Sequence, residues 1–121
     1  MNIGENIKNF RIFRSIKQQE LADALGKSKS VISNWERGEN APDVESCQKL
    51  CQIFNVTPNQ LFGWESNPEF EVYQKQMIEY QARIEILKGD KERLLRKIKE
   101  IDDKIAEETQ KLYNRENIDD E

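Results

Sequence analysis

The sequence predicts an all-α protein: a compact five-helix domain followed by a long helix carrying a coiled-coil seam. Three observations point there. Residues 18–38, QQELADALGKSKSVISNWERG, read as two short helices around a glycine turn. Apolar residues recur at helical spacing through the first 62 or so positions, and no stretch alternates as a strand would. Beyond Pro68 a 3-4 apolar repeat persists for six heptads.

The first helix, over residues 2–14, carries Ile3, Ile7, Phe10 and Phe13 on one stripe. Ile16 and Leu21 are spaced to staple the start of the second helix, with Lys17 at its N-cap. Leu21, Ala22 and Leu25 face the core, and Gly26 supplies the left-handed residue that ends the helix. Ser28 then caps a third helix, over about 28–36, with Val31, Ile32 and Trp35 inward. Its outer face presents Lys29, Ser30, Ser33 and Asn34. Asp43 caps a fourth helix with Val44, Cys47, Leu50, Cys51 and Phe54 as its apolar positions. Thr57, Pro58 and Gln60 form a capping box that opens a short fifth helix, whose Leu61, Phe62 and Trp64 are expected to close the core.

A linker of a few residues, 63–67, separates this domain (1–65) from the next segment (66–113). Asn67 as N-cap, Pro68 at the first helical position, and Glu69 and Glu71 in the first turn announce a new helix. With Phe70 at a, the a positions are Phe70, Met77, Ile84, Lys91, Ile98, Ile105 and Leu112; the d positions are Tyr73, Tyr80, Leu87, Leu94, Ile101 and Glu108. Eleven of these thirteen are apolar or tyrosine, and nothing else in the chain is long enough to cover them. A coiled coil with a second copy is the natural solution. A hairpin turning at Gly89 is the alternative. The unbroken phase from Leu87 to Leu94 favours a continuous helix, since one glycine costs only about 1 kcal/mol. Lys97 at g facing Asp102 at e leans towards parallel strands, although Arg83 would then face Lys88. Residues 114–121 read as a frayed acidic tail.

Composition narrows the function. The 35% charged content leaves too little apolar material for a single large globule. Residues 1–65 hold 8 basic and 8 acidic side chains, so the net charge of −4 belongs to residues 66–121. An acidic total therefore does not exclude nucleic acid, because residues 1–38 carry a local basic excess of three. The chain has no histidine and no phosphate-binding glycine loop, which argues against an enzyme and against a metal or other cofactor. Cys47 and Cys51, four apart on a helix, sit roughly 5–6 Å apart at Cβ, too far for a disulfide, and read as structural. No long apolar run predicts a membrane span or secretory signal, so the expected location is cytoplasmic.

These residues at these spacings resemble the Cro/repressor-type helix-turn-helix domain of the XRE family, over roughly residues 3–64. The likeness rests on Gln18-x-Glu20-Leu21-Ala22, Gly26, Ser28-x-Ser30-x-Ile32-Ser33-x-Trp35-Glu36-x-Gly38 and Pro42. It implies a lambda-repressor-like fold and double-stranded DNA as partner. Lys29, Ser30, Ser33 and Asn34 then match the positions that face base edges. Gln18, Ser28 and Arg37 match backbone-contacting positions, with Lys17 beside them. Arg11 and Glu36 match an internal ion pair, Trp35 the core, while Lys8 and Arg14 read as solvated charges. The resemblance implies a transcription regulator, by default a repressor; with the coiled coil supplying a second copy, it is expected to read a palindromic operator as a homodimer. An antirepressor or toxin protein is a further candidate partner. The rival readings are an antitoxin-like regulator whose C-terminal helix binds another protein, and a coiled-coil scaffold without DNA binding.

One residue departs from the family pattern. Lys17 stands where serine or threonine would cap the second helix, and lysine offers no acceptor. A cap of that kind is worth about 1 kcal/mol. Lys17→Ser should therefore stabilise the free protein by about that amount, yet weaken DNA binding and make it less salt-sensitive. Thermal melting and a salt titration of binding check both halves; unchanged affinity across salt would refute the second.

Overall fold

The computed structural model describes residues 2–118, and these contain six helices and no strand. They are α1 Ile3–Phe13, α2 Gln18–Leu25, α3 Lys29–Glu36, α4 Val44–Phe54, α5 Pro58–Leu61 and α6 Pro68–Glu116. The chain divides into two compact units, one running through Gln76 and one from Met77 onward.

Local chemistry sets most helix starts. Asn2, Ser28, Asp43 and Thr57 each accept a backbone N–H three residues on. Asn67 does the same for α6, accepting from the Phe70 amide at 2.9 Å. The Ser46 hydroxyl and amide both donate to Asp43, which holds that carboxyl below its ordinary pKa. At Lys17 the side chain accepts nothing, and only the Glu20 carboxylate closes back on the Lys17 amide, at 3.4 Å. Gly26 ends α2 in the left-handed region at φ 66°.

The core of the first unit is Ile7, Phe10, Leu21, Ala22, Leu25, Ile32, Trp35, Leu50, Phe54, Val56 and Leu61. Ala22 is fully buried in the helix-turn-helix corner with Ile32. Gly4 lets α1 approach the end of α3: a Cβ there would lie 2.0 Å from the Trp35 carbonyl oxygen.

Five sequence expectations change. Phe62 and Trp64 do not close the core: Trp64 is 74% exposed and stacks on Phe62 at 5.1 Å, leaving Leu61 alone buried. Cys47 and Cys51 are only half-buried, beside Pro42, Val44, Pro58 and Phe62 around an apolar surface concavity of about 310 Å³. Burial still pushes both thiols above their usual pKa. Arg14 is not a free solvated charge. Its Nε donates to the Phe54 carbonyl at 2.8 Å, its Nη1 meets Glu69 at 2.9 Å, and its guanidinium lies over the Phe13 ring.

The fourth change concerns the seam. Phe70 and Tyr73 pack within the first unit, with ring centroids 4.9 Å from Phe10 and Phe13 respectively. The start of α6 is thus covered by α1, and the compact unit reaches past residue 65 to Gln76. The two aromatics share the helix face of the later seam residues, so periodicity alone could not separate the two roles.

From Met77 the second unit is helix through Glu116, continuous at Gly89, with no hairpin. The first three residues of the expected frayed tail, 114–116, are helical, and 119–121 lie outside the described residues. Among the described residues no helix is long and apolar enough to cross a membrane.

Two glycine substitutions should behave oppositely. Gly4→Ala must displace the Trp35 carbonyl and should cost at least about 2 kcal/mol. Gly89→Ala, open to solvent in mid-helix, should gain about 1 kcal/mol of helix stability. Urea midpoints for the first and helical melting for the second read the difference.

Candidate nucleic-acid interface

The interface begins with a buried ion pair. Glu36 closes α3 and Arg11 lies on α1; the two meet as a fork, Nε to Oε2 and Nη2 to Oε1, both at 2.9 Å. The side chains keep 12% and 4% of their exposure, Arg11 and Glu36 respectively. Arg11 Nη1 also donates to the Ile16 carbonyl at 2.9 Å, tying the turn before α2 to the same group. Desolvating two charges is costly, and the bidentate geometry with its extra hydrogen bond offsets that cost.

Gln18 completes the arrangement. Its Nε2 donates to Glu36 Oε1 at 3.3 Å, so the first residue of α2 is oriented by the last residue of α3. A glutamine held this way keeps one amide hydrogen and its own backbone N–H for an outside acceptor.

On the exposed side, Gln18, Lys29, Ser30, Ser33, Asn34 and Arg37 line one open concavity of about 230 Å³. Six of the eight sequence candidates therefore meet on one face. Lys29 and Ser30 are exposed, whereas Gln18, Ser33 and Asn34 are partly covered. The remaining two precede the helices, Ser28 before α3 and Lys17 before α2. Ser28 Oγ accepts the Val31 amide at 3.4 Å, so it is an N-cap in this state, and Lys17 is exposed just before α2.

Arg37 has a part that sequence did not reveal. Its Nη1 donates to Ser33 Oγ at 2.8 Å and its Nη2 to Asn34 Oδ1, while Glu39 holds the other edge of the guanidinium. Two of the four outward α3 side chains are thereby engaged by their own helix end. The i, i+3 and i, i+4 spacing was the readable signal. No group of three metal-ligating side chains occurs among the described residues.

The buried pair yields a sharp expectation. Glu36→Ala leaves the buried Arg11 without its counter-charge and should cost about 3–5 kcal/mol, whereas Arg11→Met with Glu36→Leu should cost far less. Chemical denaturation of the three proteins makes the comparison, and equal losses in both variants would contradict it.

A family model described as helix-turn-helix matches residues 7–61. The HTH-type transcriptional activator BcrR of Enterococcus faecalis is 32% identical over 65 residues, 54% of this chain and 32% of BcrR. Antitoxin PezA of Streptococcus pneumoniae serotype 4 is 34% identical over 61 residues, 50% of this chain and 39% of PezA. The chain thus spans well under half the length of these two curated relatives. The P22 c2 repressor, solved with synthetic operator 9T, is 31% identical with a TM-score of 0.50, over 54% of this chain and 98% of that one. By that likeness, and by the motif and geometry that match it, the chain belongs to the helix-turn-helix family of the Cro/repressor (XRE) type.

Proposed function

We propose that the chain binds double-stranded DNA in a sequence-specific way, as a homodimeric repressor of transcription reading a palindromic operator. The observation that carries the reading is the single concavity formed by Gln18, Lys29, Ser30, Ser33, Asn34 and Arg37 on the outer face of α3. Its donors and acceptors suit a major groove. Asn34 can pair bidentately with adenine, and Lys29 can reach guanine acceptors or a phosphate. Ser30 and Ser33 are short and discriminate little. Gln18, Lys17, Ser28 and Arg37 stand where phosphates would pass, with the free amides of the α2 N-terminus among them.

The homodimer is supported by the apolar seam of the second unit, exposed in the single chain. Tyr80, Ile84, Leu87, Leu94, Ile98, Ile101, Ile105 and Leu112 are its open members, and Met77 is partly covered. Two linked readers convert a weak half-site interaction into a tight one. Half-sites should be about 34 Å apart on one DNA face, or a multiple of that. Repression is the simplest outcome of occupying an operator, although the relatives include an activator as well as a repressor.

Selection of bound sequences from random duplexes should return a palindrome; recovery of a lone half-site would contradict the dimer. Lys29→Ala combined with Asn34→Ala should erase preference for the selected site, a loss of about 1–3 kcal/mol of discrimination per base contact, while retaining salt-dependent non-specific binding. Undiminished preference would instead favour a scaffold that does not read DNA. Co-purification of a small unrelated protein on the seam would favour the antitoxin-like alternative, for which the PezA likeness is the one supporting observation.

A further inference from the structure

The seam of the second unit carries a direction as well as a partner. Its apolar members from Ile84 to Leu112 are 49–65% exposed, far too open for a helix of this length to persist unpaired in that form. Between Ile84 and Leu112 two positions break the stripe, Lys91 at a and Glu108 at d, with Arg115 at the next d closing its end. Lys91 and Glu108 have opposite charge and opposite heptad letter. In a parallel coil a faces a and d faces d, so Lys91 would oppose Lys91 and Glu108 would oppose Glu108. In an antiparallel coil a faces d, and the two imperfections can cancel.

Resting on the homodimer reading above, we propose that residues 84–115 pair with the same segment of a second copy in antiparallel direction. The register is the one that sets Lys91 opposite the partner's Glu108. It leaves the apolar layers intact: Leu87 meets Leu112, Leu94 meets Ile105 and Ile98 meets Ile101. At each end Ile84 lies under the aliphatic stem of Arg115. The coil spans about 46 Å from Ile84 to Arg115, at roughly 1.5 Å per residue.

Flanking charges agree. In this register Asp90 at g faces Lys111 at g, and only Lys97 against Lys104 is unfavourable. The parallel coil gains Lys97–Asp102 and Lys111–Glu116 but sets Arg83 against Lys88 in addition to the two like-charged layers. Sliding the antiparallel register by one heptad either way places Lys91 against Ile101 or Arg115, and Glu108 against Ile84 or Ile98. Both slips bury an unpaired charge, which fixes the register. Within the single chain Glu108 holds Lys111 at 3.1 Å and Asp90 pairs with Arg93. Exposed helix pairs of that kind are worth only about 0.2–0.5 kcal/mol and exchange readily for contacts in the seam.

Sedimentation equilibrium of the full chain and three variants tests the proposal. The unaltered chain should be dimeric. Lys91→Glu and Glu108→Lys, each placing two like-charged pairs in the seam, should each raise the dimer Kd by about tenfold or more. The double variant Lys91→Glu/Glu108→Lys should return it close to the original value. A parallel coil gives no such recovery, since the double variant then sets Glu against Glu and Lys against Lys. A dimer whose double variant stays weak, or whose single variants are unaffected, overturns the antiparallel register alone. A chain that is monomeric at all concentrations overturns the homodimer reading with it and assigns the seam to a different protein.

Discussion

The fork between Arg11 and Glu36 is the constraint on which the first unit turns. It joins α1 to the end of α3, takes in the carbonyl of Ile16 before α2, and holds the Gln18 amide that starts α2. Three helices are thereby referred to one carboxylate. Apolar packing of Leu21, Ala22, Leu25 and Ile32 brings the two short helices together, but hydrophobic contact is non-directional and tolerates rotation. A bidentate pair does not. The outward angle of Lys29, Ser30, Ser33 and Asn34 therefore depends on a buried salt bridge that faces away from them.

Gly4 and Trp35 act on the same helix from the other side. The α3 C-terminus lies against α1 closely enough that the Trp35 carbonyl leaves no room for a methyl group at residue 4. With Trp35 itself 5% exposed, the last turn of α3 is fixed by backbone contact, by aromatic burial and by charge. Rigidity at that turn matters because Arg37, the next residue, reaches back over Ser33 and Asn34.

Much of this was legible in sequence because it is local. Ser28, Asp43, Thr57 and Asn67 cap where short polar residues precede apolar periodicity, and Gly26 takes the left-handed position a turn requires. The pairing of Arg11 with Glu36 came from family likeness, since no spacing rule links residues 25 apart. What sequence could not give was the identity of the surface each apolar face meets. Phe70 and Tyr73 continue the heptad phase of Ile84 and Leu87, yet their partners are Phe10 and Phe13. Periodicity fixes a face and not what covers it. Trp64 failed for a related reason: it follows α5 after the chain has turned at Gly63, φ 80°, and the helical phase no longer applies. Arg14 was illegible because its acceptor, the Phe54 carbonyl, is 40 residues away.

Arg37 changes how the outer face of α3 must work under the proposed function. In the free chain Asn34 Oδ1 and Ser33 Oγ both accept from this guanidinium. A bidentate Asn34–adenine contact uses that same carbonyl oxygen, so it shares or competes for it with Arg37, and a nearby phosphate is an acceptor that would draw the guanidinium away. On that proposal base reading and phosphate binding are linked through one arginine, because a phosphate that takes the guanidinium leaves the Asn34 oxygen and the Ser33 hydroxyl open to bases. Such coupling trades affinity for selectivity, because part of each contact replaces an internal hydrogen bond instead of adding to it. With two short serines beside it, a single domain is left a weak reader. Under the proposed homodimer, tight and selective occupancy falls to linkage between two copies, so the polar interruptions at Lys91 and Glu108 would act on DNA recognition through dimer stability.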